Sequence, residues 1–156
     1  MLGEREFVEG LHAHERTLYR VARSILRTDA DCADAVQEAA LKAWAARGRF
    51  RGDGSFKAWI TRILINECHT LNRKRRRLVL TDDPSHFDRT AVGGASDLKE
   101  ALFALEEALR LPTVLHYLEG FSIDEVASLV GAPAGTVKWR LSKARGRLKE
   151  WLSDDE

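Results

Sequence analysis

The chain has 156 residues, enough for one ordinary domain or two small ones. Its apolar fraction of 44% argues against global disorder, and its 25 Lys/Arg nearly balance 24 Asp/Glu, for a net charge of +1. No stretch approaches the roughly 20 consecutive apolar residues that a membrane span needs. The opening "MLGEREFVEG" has acids where a signal peptide would have a basic start and an apolar core, so a cytoplasmic location is expected.

Only three prolines and few β-branched runs favour helices throughout. The first is expected over Glu4–Arg27, where Phe7, Leu11, Leu18, Val21, Ala22 and Ile25 recur at three- and four-residue spacing. "TDADCAD" breaks it and offers Thr28, Asp29 and Asp31 as caps for a second helix running to about Ala46. On that helix Ala33, Val36, Ala40, Ala43 and Trp44 form the expected inward set. Asp34, Gln37, Glu38 and Leu41 share another face, at i, i+3, i+4 and i+7 spacing. An acid–amide–acid–leucine patch suits docking on a basic partner helix. From spacing alone, a solvated face with a stray leucine fits equally well.

A Gly-rich basic loop, "RGRFRGDGSF", follows and contributes Arg49, Phe50 and Arg51. A third helix is expected from near Ser55 into the run "RKRRR", Arg73 to Arg77. Ile60, Ile63, Leu64 and Leu71, with Cys68 nearby, read as its inward stripe. Trp59, Arg62, Asn66 and Arg73 lie on a second face, because seven or fourteen residues bring a helix almost back to its start. An aromatic ring, an amide and two guanidinium groups suit single-stranded nucleic acid: rings and guanidinium groups stack on bases, the amide reads a base edge, and arginine meets phosphate. Trp59 also fits a core position. "RKRRR" fits either a phosphate contact or a solvated helix end near the negative pole of the dipole.

"LVLTDDPSHFDRTAVGGAS" breaks the periodicity, and Pro84, Gly93 and Gly94 mark it as a flexible linker. Four helical pieces follow, over Asp97–Arg110, Pro112–Glu119, Ser122–Val130 and about Ala134–Leu152. Ser122 and Glu125 form a capping box. A short helix, the turn "GAPAG" and a longer helix make a helix-turn-helix pattern. The fold class is therefore all-α: two small helical domains and a linker, the second domain a helix-turn-helix. The expected bounds are 1–77, 78–96 and 97–156.

The near-neutral total conceals segregation. Residues 1–80 hold 16 basic and 10 acidic residues, whereas residues 96–156 hold 8 and 11. Yet from Thr136 to Lys149 there are six bases and no acid. On a wheel, Val137, Leu141, Ala144 and Leu148 fall in a stripe about 60° wide. Lys138, Arg145 and Lys149 flank it on one side, and Arg140, Arg147 and Lys143 on the other. Gly135, Trp139, Ser142 and Gly146 form a mostly small crest. A helix entering the DNA major groove wants basic shoulders for the phosphates and a low crest near the base edges. Its N-terminal residues, here Thr136, Trp139, Arg140 and Lys143, carry base contact. A merely solvated face would interleave acids and bases.

The whole chain resembles a bacterial RNA polymerase sigma factor of the extracytoplasmic-function class. "DAVQEAALKAW" and "RFRGDGSFKAWITRILINECHTLNRKRRR" are similar to its region 2, and "LRLPTVLHYLEGFSIDEVASLVGAPAGTVKWRLSKARGRL" to its region 4. The resemblance implies a non-enzymatic transcription initiation factor without a cofactor. Its implied partners are the polymerase core (beta and beta-prime subunits), promoter DNA and an anti-sigma factor. It assigns Asp34, Gln37, Glu38 and Leu41 to core binding. It assigns Arg49, Phe50, Arg51, Trp59, Arg62, Asn66 and Arg73 to the minus-ten strand. Thr136, Lys138, Trp139, Arg140, Lys143 and Arg145 go to the minus-35 duplex. Trp139 departs from the family, whose members commonly carry a small residue there.

Other chemistry is poorly supported. His12 and His14 are two apart and do not share a helix face, and His116 suits packing beside Leu115 and Tyr117. Cys32 and Cys68 have no C-x-x-C partner and read as small buried side chains, with a disulfide the lesser alternative. The rival function is a one-component helix-turn-helix regulator with an N-terminal sensing or dimerisation domain. The basic loop "RFRGDGSF" speaks against it, because a sensor needs a pocket.

Overall fold

The computed structural model describes residues 2–52, 55–79 and 97–153. Among these residues there are seven α-helices and no strand, and no helix is long and apolar enough to cross a membrane. The chain divides into two compact units, Met1–Arg89 and Thr90–Glu156.

The first unit is a three-helix packing of α1 (Glu4–Ile25), α2 (Asp29–Ala45) and α3 (Phe56–Val79), each helix touching the other two. α1 buries Phe7, Leu18, Val21, Ala22 and Ile25, as its apolar spacing predicts, but leaves Leu11 half-buried. The Thr28 hydroxyl caps α2 by accepting from Asp31 N at 3.1 Å, an arrangement worth about 1 kcal/mol. Ser55 does the same for α3, accepting from Ala58 N at 3.2 Å. Between α2 and α3 lies a 3₁₀ turn, Arg47–Arg49.

The inward face of α2 is not the expected one. Cys32, Ala35, Ala39 and Ala43 are buried, whereas Ala33 is exposed and Val36, Ala40 and Trp44 are half-buried. Small residues at i, i+3, i+7 and i+11 let α2 approach its neighbours closely. α3 also differs. It buries Ile60, Thr61, Leu64, Ile65, Glu67 and Cys68, while Ile63 and Leu71 are only half-buried. It packs against both α1 and α2, so it needs two inward flanks rather than one stripe. It also continues through Leu78 and Val79, beyond "RKRRR". The remainder of the expected linker, 80–96, lies outside the described residues.

The second unit contains α4 (Asp97–Ala104), α5 (Glu107–Thr113), a π turn over Val114–Leu118, α6 (Ile123–Val130) and α7 (Ala134–Ser153). The expected helix Asp97–Arg110 is broken at Leu105–Glu106, and Arg110 closes the break by donating to Leu105 O at 2.7 Å. Pro112 does not start a helix but lies inside α5. The chain then widens into the π turn, where Glu119 N donates to Val114 O at 3.0 Å. The capping box on α6 forms in both directions, at 2.9 and 3.1 Å. Gly131 ends α6 at φ 69°, a left-handed conformation that favours glycine, and so turns the chain into α7.

Candidate polymerase and nucleic-acid surfaces

On α2 the four residues Asp34, Gln37, Glu38 and Leu41 are all exposed, and Leu41 has 59% of its surface open. They lie opposite the seam of small residues, so the helix that packs inward through alanines presents this patch outward. Beside it, Lys42 pairs with the nearly buried Glu67 of α3. That hydrogen bond and charge raise the Lys42 pKa, with Glu38 adding to the effect.

The basic loop folds onto an aromatic cluster. Phe50 packs on Trp59 with ring centroids 5.2 Å apart and on Phe56 at 6.0 Å. Phe56 meets Trp59 at 5.8 Å and Phe7 at 6.1 Å, and Phe7 meets Trp44 at 5.3 Å. Gly10 admits this cluster: a Cβ there would stand 2.7 Å from the Phe56 ring. Trp59 is therefore neither a core side chain nor a free platform, but a half-buried wall shared with Phe50. Arg49 and Arg51 are exposed on the loop. The outer face of α3 continues from Trp59 with Arg62, Asn66 and Arg73, all exposed. Among the described residues the Asn66 side-chain amide has no protein partner, whereas its backbone carbonyl accepts from Thr70 Oγ1 at 2.9 Å. Arg73 in turn donates to Thr70 Oγ1 at 3.2 Å.

Within "RKRRR", Arg75 is paired across to another helix. Arg75 donates twice to Asp31, at 2.6 and 3.3 Å, and joins the end of α3 to the start of α2. The hydrogen bond and the charge of Asp31 raise the Arg75 pKa. Arg73, Lys74, Arg76 and Arg77 remain exposed.

α7 matches its wheel. Val137, Leu141 and Ala144 are buried and Leu148 is half-buried against the rest of the unit. Lys138, Lys143, Arg145, Arg147 and Lys149 are exposed, while Thr136 and Arg140 are half-buried. Gly135, Trp139, Ser142 and Gly146 form an exposed crest. Two of the bases have hydrogen-bond partners on other elements of the unit. Arg145 donates to the Tyr117 hydroxyl, and Arg147 meets Glu106 at 3.0 Å. Tyr117, 47% exposed on the π turn, thus joins the basic surface. It lies 28 residues from Arg145, beyond the reach of helical periodicity.

The remaining polar groups have structural surroundings. His116 Nδ1 lies 2.7 Å from Phe121 O. Burial and the nearby Lys57 charge lower the His14 pKa. Cys32 and Cys68 are buried free thiols, and burial pushes the Cys32 pKa up to about 11. Among the described residues no group of His, Cys, Asp and Glu could hold a metal ion.

Comparison with known proteins gives the family. Residues 11–78 match Sigma-70 region 2 and residues 96–148 match Sigma-70 region 4. The chain is 39% identical over 145 residues to the ECF RNA polymerase sigma factor SigM of Mycobacterium tuberculosis, covering 89% of this chain and 73% of that one. It is 32% identical over 151 residues to the ECF RNA polymerase sigma-E factor of Escherichia coli, covering 83% and 79%. Its fold matches the sigma factor RpoE of Bartonella quintana, solved in complex with the anti-sigma factor NepR. There the TM-score is 0.87 and the identity 33%, over 97% of this chain and 99% of that one. CnrH, solved in complex with the cytosolic domain of CnrY, matches with a TM-score of 0.74 and 28% identity, over 99% and 92%. The chain belongs to the extracytoplasmic-function RNA polymerase sigma factors, transcription initiation factors that direct the polymerase to promoters.

Proposed function

We propose that the two units divide promoter recognition, residues 1–77 acting as region 2, 78–96 as the linker and 97–156 as region 4. The exposed face Asp34, Gln37, Glu38 and Leu41 docks on the polymerase core. Arg49, Phe50, Arg51, Trp59, Arg62, Asn66 and Arg73 hold the opened minus-ten strand. Thr136, Lys138, Trp139, Arg140, Lys143 and Arg145 meet the minus-35 duplex. The factor works in the cytoplasm, catalyses no bond chemistry itself, and is held in check by an anti-sigma protein, a reading supported by the complexes in which its structural relatives were solved.

The observation that carries this reading is the geometry of α7. One apolar seam is buried, the rest of the circumference is exposed or half-exposed, and it has no acid between Thr136 and Lys149. Bases so arranged can straddle a groove and displace counterions from phosphates. Strand capture by the first unit draws on different chemistry. The unpartnered Asn66 amide can exchange water for a base edge, and the Phe50–Trp59 wall offers a ring surface to an unstacked base.

Core docking is tested with Asp34→Lys combined with Leu41→Ala, measured as core affinity of the full chain. Both residues are exposed, so folding is retained, and reversing a charge and removing an apolar anchor should weaken binding at least tenfold. Unchanged affinity in the folded double variant would remove α2 from the core interface.

A further inference from the structure

The crest of α7 is small except at one place. Gly135, Ser142 and Gly146 leave room for close approach to a groove floor, yet Trp139 stands among them 60% exposed. The indole stands on the same open side of α7 as its bases, so it is presented to whatever those bases meet. Its surroundings define what it can meet. Lys143, one turn further on, holds Nζ 4.9 Å from the ring centroid, a cation–π contact that sets an ammonium beside the ring. One turn before, nothing beyond the adjoining residues and the helix's own backbone lies within 4 Å of where a Gly135 Cβ would stand, so the crest is open on that side. The result is a flat, largely apolar blade, polar only at its indole N–H, with an ammonium donor next to it.

In the major groove the hydrocarbon group on a base edge is the C5 methyl of thymine, and beside it lies O4, an acceptor. Guanine offers acceptors to an ammonium but no methyl to a ring. Cytosine presents a donor, which opposes the ammonium, and adenine presents a donor beside its acceptor. The pair of side chains therefore complements thymine better than any other base. We propose that Trp139 is a specificity residue that packs on the C5 methyl of one thymine in the upstream duplex, with the Lys143 ammonium beside it at O4. This rests on the assignment of α7 to the minus-35 duplex, and it adds the base and the atom that are read.

Deoxyuridine differs from thymidine by that methyl alone, which provides the test. Holoenzyme made from the full-length chain and polymerase core selects duplexes from a library randomised across the upstream promoter segment. The selected duplex is then remade with deoxyuridine at each thymine in turn. Burial of one methyl predicts that affinity falls about three- to fivefold at a single position. Trp139→Phe, which keeps a ring, should retain the difference, and Trp139→Ser should bind both duplexes equally. Two results overturn the proposal: no position at which wild type senses the methyl, or a Trp139→Ser variant that still senses it. Failure of the underlying assignment looks different. Wild type then selects no upstream sequence, and Lys138→Ala and Arg140→Ala leave duplex affinity unchanged, so α7 itself is excluded from the interface.

Discussion

Helices α3 and α7 are both long and basic, but they spend their circumference differently. α7 lies against one side of its unit and buries Val137, Leu141 and Ala144, with Leu148 half-buried. More than half of its surface is left for a partner. α3 lies between α1 and α2 and buries residues on two flanks, from Ile60 and Thr61 to Glu67 and Cys68. Over that packed length what remains exposed is a narrow strip, Arg62 and Asn66, continued by Arg73 and the exposed end of the helix and flanked by Phe50 packed on Trp59. A broad convex face suits a duplex, which has two phosphate walls. A narrow strip beside a ring wall suits one strand with its bases turned out. The charges follow the same division. Arg75 on α3 is committed to Asp31 across a partly buried contact, whereas the partners of Arg145 and Arg147 on α7 are exposed side chains.

The largest expected effects test the packing half of this comparison. Leu64→Ala in α3 and Leu141→Ala in α7 remove side chains that are 0% and 2% exposed, and each should cost about 3 kcal/mol in thermal or denaturant unfolding. Trp139→Ser on the crest of α7 should stay within about 0.5 kcal/mol. A cost at Trp139 approaching that at Leu141 would mean that α7 has a second buried seam and lacks the open face.

Next comes the charge on α3. Arg75→Ala leaves the Asp31 carboxylate, in a residue only 8% exposed, without its guanidinium partner. The Arg75 side chain is itself about half-exposed, so solvent screens the pair and the expected cost is about 1 kcal/mol. Arg76→Ala, on the same run and exposed, should be close to neutral for stability and should reduce DNA affinity instead. Equal stability costs at the two positions would contradict the separate role given to Arg75.

A smaller effect separates the bases of α7. The proposed function gives Lys138 a phosphate contact, and Lys138→Ala should then lower the log–log salt slope of duplex binding by the holoenzyme by about one, or roughly fourfold in affinity between 50 and 200 mM salt. Arg147→Ala should change the slope less, because Glu106 already neutralises part of its charge. Identical slopes for wild type and both variants would show that α7 does not meet phosphate.

The same contrast explains what could be read without a structure. The α7 seam was legible because one-sided packing writes a single apolar stripe at helical period. The caps at Thr28 and Ser122 were legible because they depend on neighbours three residues away. α3 was less so: Thr61 and Glu67 are buried for want of any solvent side facing α1 and α2, and Glu67 is tolerated there through Lys42, 25 residues away. The alanine seam of α2 carries no strong apolar signal, which explains why Val36 and Trp44 drew the inward face to the wrong side. The break at Leu105–Glu106 was invisible because Leu102, Leu105 and Leu109 keep a helical spacing straight across it. As for the candidate surfaces, the exposure of Asp34, Gln37, Glu38, Arg62, Asn66 and Arg73 was legible, because charge and amide groups recur on one helix face. Tyr117, Glu106 and Asp31, which orient or neutralise arginines from other elements, were not.

The division between strand capture and duplex reading is tested most directly by the ratio of initiation rates on two templates, one a linear duplex promoter and the other carrying a pre-opened mismatched bubble at the minus-ten position. Asn66→Ala should leave stability within about 0.5 kcal/mol, because an exposed amide contributes little to folding. It should also leave core affinity and upstream duplex recognition as in wild type. Its initiation rate should fall at least tenfold on the duplex and recover most of that loss on the bubble, where unpairing is already done. Arg140→Ala on α7 should lose activity on both templates alike. A bubble-to-duplex ratio for Asn66→Ala equal to that of wild type, with folding and core affinity intact, would contradict the account.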